Sequence, residues 1–161
     1  MKRAEKSARS ILLIGSGARE HAIAAALQRS PSAPVVHCLG SSRNQGIMAI
    51  CMQTGGLYRI GKITDPGEVV TFTGETKADL AVIGPEAPLD AGVADAIRDT
   101  GAAVFGPNRE LARIETSKAY ARELLLATIP ESCPEYRIVS TLDEAREFLN
   151  ELGDGYVIKA D

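Results

Sequence analysis

Four short runs in this chain are apolar almost throughout, and each is closed by a glycine. They are residues 11–14 before Gly15, 35–39 before Gly40, 80–83 before Gly84 and 103–105 before Gly106. A half-exposed strand alternates apolar and polar residues, whereas a strand covered on both faces reads as a continuous apolar run. Helical stretches separate these runs. One spans about residues 18–28, one opens at Asp65-Pro66-Gly67-Glu68, and one runs from about 91 to 99 before Gly101. Asp65 as N-cap, Pro66 at the first helical position and Glu68 three residues after the cap form a strong helix start. Tyr58-Arg59-Ile60 reads as a further short strand. Strands alternating with helices of this length predict an α/β fold, a doubly wound parallel sheet over about residues 11–108.

Beyond Pro107 the pattern changes. Residues 109–127 read as nearly continuous helix interrupted near Thr116, and Ile129-Pro130 ends it. Residues 136–139 read as a strand, and Thr141 with Glu144 as a capping box opening a helix to about Leu152. Gly153-Asp154-Gly155 then turns into a strand over 156–160. This β-α-β piece predicts an incomplete second domain over 109–161. At the other end Lys2, Arg3, Lys6 and Arg9 face only Glu5, so residues 1–10 read as a solvated, flexible basic tail.

Composition narrows the function classes. With 45% hydrophobic and 24% charged residues the chain is neither disordered nor low-complexity. A net charge of −3 disfavours a nucleic-acid binder, which needs a basic surplus. No apolar run approaches the roughly 20 residues of a membrane span, and none resembles a signal peptide. Cys38, Cys51 and Cys133 are odd in number and form no CxxC pair, and His21 and His37 have no second ligand at metal spacing. A disulfide framework and a zinc site are disfavoured, and the expected compartment is the cytoplasm.

Gly15-Ser16-Gly17 lies between the first strand and the first helix, where backbone amides and the helix dipole favour an anion. A dinucleotide fingerprint wants a small residue where Glu20 stands, and an acid near the end of the second strand, where residues 38–42 offer none. Phosphate binding without a dinucleotide is the better reading. Arg19 suits a phosphate bidentately. Either Glu20 or His21 can cap the turn, and the residues alone do not choose between them.

Gly15-Ser16-Gly17-Ala18-Arg19-Glu20-His21-Ala22 resembles the opening motif of the glycinamide ribonucleotide synthetase (phosphoribosylamine–glycine ligase) family, which usually has glycine at the Ala18 position. Further matches follow in family order: Val82-Ile83-Gly84-Pro85-Glu86-Ala87-Pro88-Leu89, then Val104-Phe105-Gly106-Pro107 leading to Ile114-Glu115-Thr116-Ser117-Lys118, and finally Tyr156-Val157-Ile158-Lys159-Ala160-Asp161. The family's Pro-Gly-Asn-x-Gly segment is represented here by Ser42-Arg43-Asn44-Gln45-Gly46, which keeps the asparagine and the last glycine. The resemblance implies a Rossmann-like pre-ATP-grasp domain followed by the start of an ATP-grasp domain. It implies a purine-biosynthesis ligase that joins glycine to 5-phosphoribosylamine with ATP. By similarity the ribonucleotide falls to Gly15, Ser16, Gly17, Arg19, Asn44 and Glu86, and ATP phosphates to Lys118 and Lys159. The implied divalent metal, Mg or Mn, would take its ligands from outside this sequence, so no metal ligand and no catalytic residue is assigned. The implied partners are small molecules and the remaining domains of the enzyme. Another ATP-grasp member, such as a biotin carboxylase-like enzyme, and a stand-alone phosphoribosyl-binding module are the alternatives.

Overall fold

The computed structural model describes residues 9–153 and 155–160. The chain divides into two compact units, one up to Ala112 and one from Arg113. The first unit is built on five strands, β1 (Ser10–Ile14), β2 (Val35–Gly40), β3 (Tyr58–Ile60), β4 (Leu80–Ile83) and β5 (Ala103–Phe105). They form one sheet in the order β3-β2-β1-β4-β5, with every pairing parallel. This is the doubly wound α/β sheet that the glycine-ended runs predict.

Alternation within β1 sends successive side chains to opposite faces. Ile11 and Leu13 pack with Ala24 of α1 (Ala18–Gln28) and with Ile47, Ile50 and Cys51 of α2 (Gln45–Thr54). Leu12 and Ile14 pack on the other face with Val69 and Phe72 of α3 (Pro66–Thr76). That face also takes Leu89 of α4 (Glu86–Asp90) and Val93, Ala94 and Ile97 of α5 (Val93–Asp99). The central strand is therefore apolar at every position from 11 to 14 because both of its faces are core.

Local chemistry sets the helix limits. Asp65 Oδ1 accepts from the amides of Gly67 (3.0 Å) and Glu68 (3.2 Å), so Asp65 caps α3 as expected. Glu68 does not close a capping box with it. Its carboxylate instead accepts from the Lys62 amide at 3.1 Å. Asn44 caps α2, accepting from the Ile47 amide at 3.1 Å. Neither α2 nor α4 is expected from the sequence, and Gly92 in the left-handed region (φ 80°) separates α4 from α5. β1 begins at Ser10, whose amide donates to Asp79 Oδ2 at 2.9 Å. Residues 1–8 of the expected basic tail lie outside the described residues.

α6 (Arg109–Thr116) carries the division between the units within it. In the second unit Ser117 separates α6 from α7 (Lys118–Thr128) and caps α7, its hydroxyl accepting from the Tyr120 amide at 3.2 Å. This is the break expected near Thr116. Thr141 and Glu144 form the expected capping box on α8 (Leu142–Leu152). The two strands expected at 136–139 and 156–160 do not form. A strand exists only through its neighbour's backbone, and β propensity alone does not supply one. Asp154, in the turn before the second of these segments, and Asp161, just after it, lie outside the described residues. No side chain of α7 or α8 is fully buried. Among the described residues no helix is long and apolar enough to cross a membrane.

His37 on β2 is buried, and its Nδ1 accepts from the Leu57 amide at 3.0 Å, tying the β3 entry to β2. Burial lowers its pKa below the ordinary 6.5, so the folded protein holds it neutral where the unfolded chain would take up a proton. The associated stability is fully present above pH 6.5 and is lost as pH falls from there toward the folded-state value. Urea midpoints for the native protein should therefore drop as pH is lowered below 6.5, and His37→Gln should flatten that limb. Parallel pH profiles for the two proteins would refute the assignment.

Candidate functional site

The strand order reverses between β1 and β4, and the crevice of such a sheet opens at the carboxyl ends of those two strands. Gly15-Ser16-Gly17 leaves β1 at that point, and Gly84-Pro85 leaves β4 beside it. Glu20, on the first turn of α1, folds back beneath the glycine turn. Its Oε2 accepts from the Gly17 amide at 2.6 Å, and the residue is only 4% exposed. Glu20, not His21, therefore caps the turn. A β-carbon at Gly84 would overlap the Glu20 carboxylate, and one at Gly15 would lie 2.8 Å from Glu20 Cγ. The two glycines create the room for a carboxylate where a dinucleotide fold needs a small residue.

Glu20 Oε1 is buried without a hydrogen-bond partner, and its nearest cation is Arg19 Nε at 3.5 Å. The other end of the same guanidinium reaches Glu86 Oε2 at 3.4 Å, at the start of α4. Arg19 thus stands between a buried carboxylate and an exposed one. Exposed ion pairs contribute about 0–1 kcal/mol, so a ligand anion can take Arg19 from Glu86 at little cost.

Asn44 joins α2 to the turn. Its Nδ2 donates to the carbonyls of Ser16 (3.0 Å) and Gly17 (3.5 Å), while its Oδ1 caps α2. Ser16 Oγ also lies 3.3 Å from Ser41 Oγ and 3.1 Å from Ser42 Oγ. The thiol of Cys38 donates to the Gly15 carbonyl from below at 3.3 Å. Gly15, Ser16, Gly17, Arg19, Asn44 and Glu86 are therefore gathered around one turn. Lys118 and Lys159 belong to the second unit, Lys118 as the first residue of α7 and Lys159 in an irregular stretch, and both are exposed.

Three contributors escape the sequence reading. Ser41 and Ser42 reach the site only because β2 ends beside β1. Tyr58, from β3, donates its hydroxyl to the Ser42 carbonyl at 2.6 Å and accepts from the Asn44 amide at 3.1 Å. Burial raises the pKa of this phenol, which keeps the donor proton in place. No short-range signal in the sequence marks these residues. Together the site offers three clustered hydroxyls, a carboxylate able to accept hydrogen bonds and a guanidinium able to pair with an anion. Because Glu20 occupies the Gly17 amide, Gly17 gives shape to the turn and that one amide is not offered to an anion. Among the described residues no three His, Cys, Asp or Glu side chains cluster as a metal site.

The family profile of the phosphoribosylglycinamide synthetase N domain matches residues 9–115. The phosphoribosylamine–glycine ligase of Methanosarcina barkeri is 40% identical over 144 residues, 89% of this chain and 32% of that protein. Its counterpart from Methanopyrus kandleri is 41% identical over 150 residues, 92% of this chain and 32% of that protein. The chain thus spans about a third of the length of these relatives. Among solved structures, glycinamide-RNase-transformylase T from Mycobacterium tuberculosis superposes with a TM-score of 0.63 at 21% identity, over 91% of this chain and 40% of that one. Phosphoribosylglycinamide synthetase from Anaerococcus prevotii gives 0.54 at 16% identity, over 89% and 34%. At these identities the structural likeness is one of fold.

Two measurements probe the geometry. Gly84→Ala should destabilise the protein by about 1–3 kcal/mol through overpacking against Glu20. The same substitution in a Glu20→Ala background should cost less than half as much, and equal costs in the two backgrounds would separate the residues. Burial pushes the Cys51 thiol up to about 11 and the Cys38 thiol higher still, whereas Cys133 is only half-buried. Iodoacetamide at pH 8 should therefore alkylate Cys133 alone in the folded protein, and all three thiols in denaturant, as read by mass spectrometry.

Proposed function

The chain belongs to the phosphoribosylglycinamide synthetase N-domain family, and on that premise we propose that it supplies the ribonucleotide-binding part of a purine-biosynthesis ligase. The complete enzyme would join glycine to 5-phosphoribosylamine. ATP would phosphorylate the glycine carboxylate to glycyl phosphate and leave ADP. The ribosylamine nitrogen would then attack the acyl carbon, forming the amide and releasing phosphate. Such a reaction gains from cations that neutralise charge on the transferring and leaving phosphoryl groups.

The observation that carries this reading is Arg19 held between Glu20 and Glu86 across the crevice mouth. In the proposed complex the phosphoryl group takes the guanidinium, and the Ser16 hydroxyl at the turn supports it. Release from Arg19 leaves Glu86 free to accept hydrogen bonds from ribose hydroxyls. Asn44 holds the turn in register with α2, so that these groups face the same ligand. Lys118 and Lys159 are assigned to ATP phosphates, and this chain's own described residues provide no metal cluster. We assign the chain a binding role, with no glycine- and phosphoribosylamine-dependent ATP turnover of its own.

Titration of the isotope-labelled 161-residue protein with D-ribose 5-phosphate tests the site. Amide shifts should centre on residues 15–19, 41–44 and 84–86, and Arg19→Ala should weaken binding by about tenfold, the loss of one charge-assisted contact. Shifts confined to other surfaces would overturn the assignment. Steady ATP turnover by the purified chain in the presence of glycine and phosphoribosylamine would overturn the purely binding role.

A further inference from the structure

Tyr58 stands on β3, two strands away from the glycine turn, yet its hydroxyl ends inside the crevice wall. The hydroxyl donates to the Ser42 carbonyl at 2.6 Å and accepts from the Asn44 amide at 3.1 Å, bridging the two ends of the Ser42-Arg43-Asn44 arm. Both arm residues then touch the turn. Ser42 donates its amide to Ser16 Oγ at 3.3 Å, and Asn44 donates its side-chain amide to the Ser16 carbonyl at 3.0 Å. The route from Tyr58 to Ser16 is thus two hydrogen bonds long by either branch.

The passage for the phenol is built by Gly40. A β-carbon there would lie 2.6 Å from the Tyr58 hydroxyl, 2.9 Å from Ser16 Cβ and 3.1 Å from the Ser42 carbonyl. Gly40 is therefore the point where the phenol, the arm and the turn meet, and no side chain fits among them. A tyrosine that served only to fill the space between β3 and α2 would need neither the hydroxyl nor this gap. The arm itself is exposed at Ser41, Ser42 and Arg43, so hydrogen bonds rather than packing hold it, and the two to Tyr58 join those to Ser16 and Gly17.

We propose that Tyr58 is a positioning residue: its hydroxyl clamps the Ser42–Asn44 arm against the glycine turn and so sets the affinity of the crevice for a ribosyl phosphate. The inference rests on the binding role assigned above, and it adds a residue outside the turn, the arm and Glu86. Tyr58 touches no ligand in this scheme. It acts through Asn44 and Ser42, which shape the hydroxyl cluster around Ser16.

Tyr58→Phe removes the oxygen and keeps the ring. In the 161-residue protein this variant should keep its thermal midpoint within a few degrees, exchange the Asn44 amide proton faster, and bind D-ribose 5-phosphate about three- to tenfold more weakly. Gly40→Ala, which retains the phenol but blocks its path, should reproduce both the faster exchange and the weaker binding. A loss of thermal stability with unchanged affinity well below the midpoint would mark Tyr58 as merely structural and overturn the proposal. If the native protein shows no saturable response to ribose 5-phosphate, the binding role itself falls. The clamp is then judged on Asn44 exchange alone, and equal protection in native and Tyr58→Phe proteins overturns it.

Discussion

The carboxylate of Glu20 is the constraint around which the crevice is arranged. A charged group this far from water is costly unless its hydrogen-bonding capacity is met. One oxygen is satisfied by the Gly17 amide, and the other has only the flank of Arg19 for company. In return the carboxylate fixes the glycine turn from beneath and forces the ends of β1 and β4 to be glycine. It also withdraws one backbone donor from any ligand and places negative charge under the site. Beside the remaining first-turn amides, anion-binding groups at this helix start are Arg19 on its own first turn and the Ser41–Asn44 stretch from the neighbouring strand.

Those side chains can converge because the central strands of the first unit are covered on both faces. Leu12 and Ile14 face α3, α4 and α5, while Ile11 and Leu13 face α1 and α2, so β1 has no freedom to shift register. A one-residue slip would exchange the two faces and move Gly15 off the carboxyl end that the crevice requires. The second unit works differently. Its helices are capped at Ser117 and Thr141 and laced by Arg113 over Tyr120 and Arg137 over Phe148, yet α7 and α8 bury no side chain fully. Local capping and cation–π contacts define its helices without a core of their own.

This contrast explains what was legible in the sequence. Strands buried on both faces print continuous apolar runs, and the runs ending at Gly15, Gly40 and Gly84 mark β1, β2 and β4 to within a residue; the run before Gly106 marks β5 as well, although Ala103 and Phe105 there are exposed. Caps with a side-chain acceptor, Asp65 and Thr141, mark α3 and α8. α2 was hidden because Gly46 in its first turn continues the polar loop before it, although Asn44 caps it and Ile47, Ile50 and Cys51 form its buried stripe, and α4 because Pro88 sits inside five residues. The strands expected over 136–139 and 156–160 failed because β propensity has no structural meaning without a partner. At the site, the turn, Arg19, Asn44 and Glu86 were readable through motif resemblance. Tyr58 was not, because its two bonds span 14 and 16 residues and depend on the pairing of β2 with β3.

The charge balance at the crevice mouth then bears on what the proposed site selects. Two carboxylates flank one guanidinium here, a formal balance of one negative charge, so a free phosphate gains little by approaching them as a group. A phosphorylated sugar meets a different balance. In the proposed complex its phosphoryl group would displace only the exposed partner, Glu86, from Arg19, since Glu20 is fixed beneath the turn. The carboxylate so released needs new donors, and sugar hydroxyls on the same ligand can provide them. Inorganic phosphate would leave Glu86 unpaired beside a dianion, and a plain pentose would leave Arg19 and Glu86 closed on each other. The arrangement favours a ligand that presents both groups at once, and it does so through one arginine whose two carboxylate partners differ in burial.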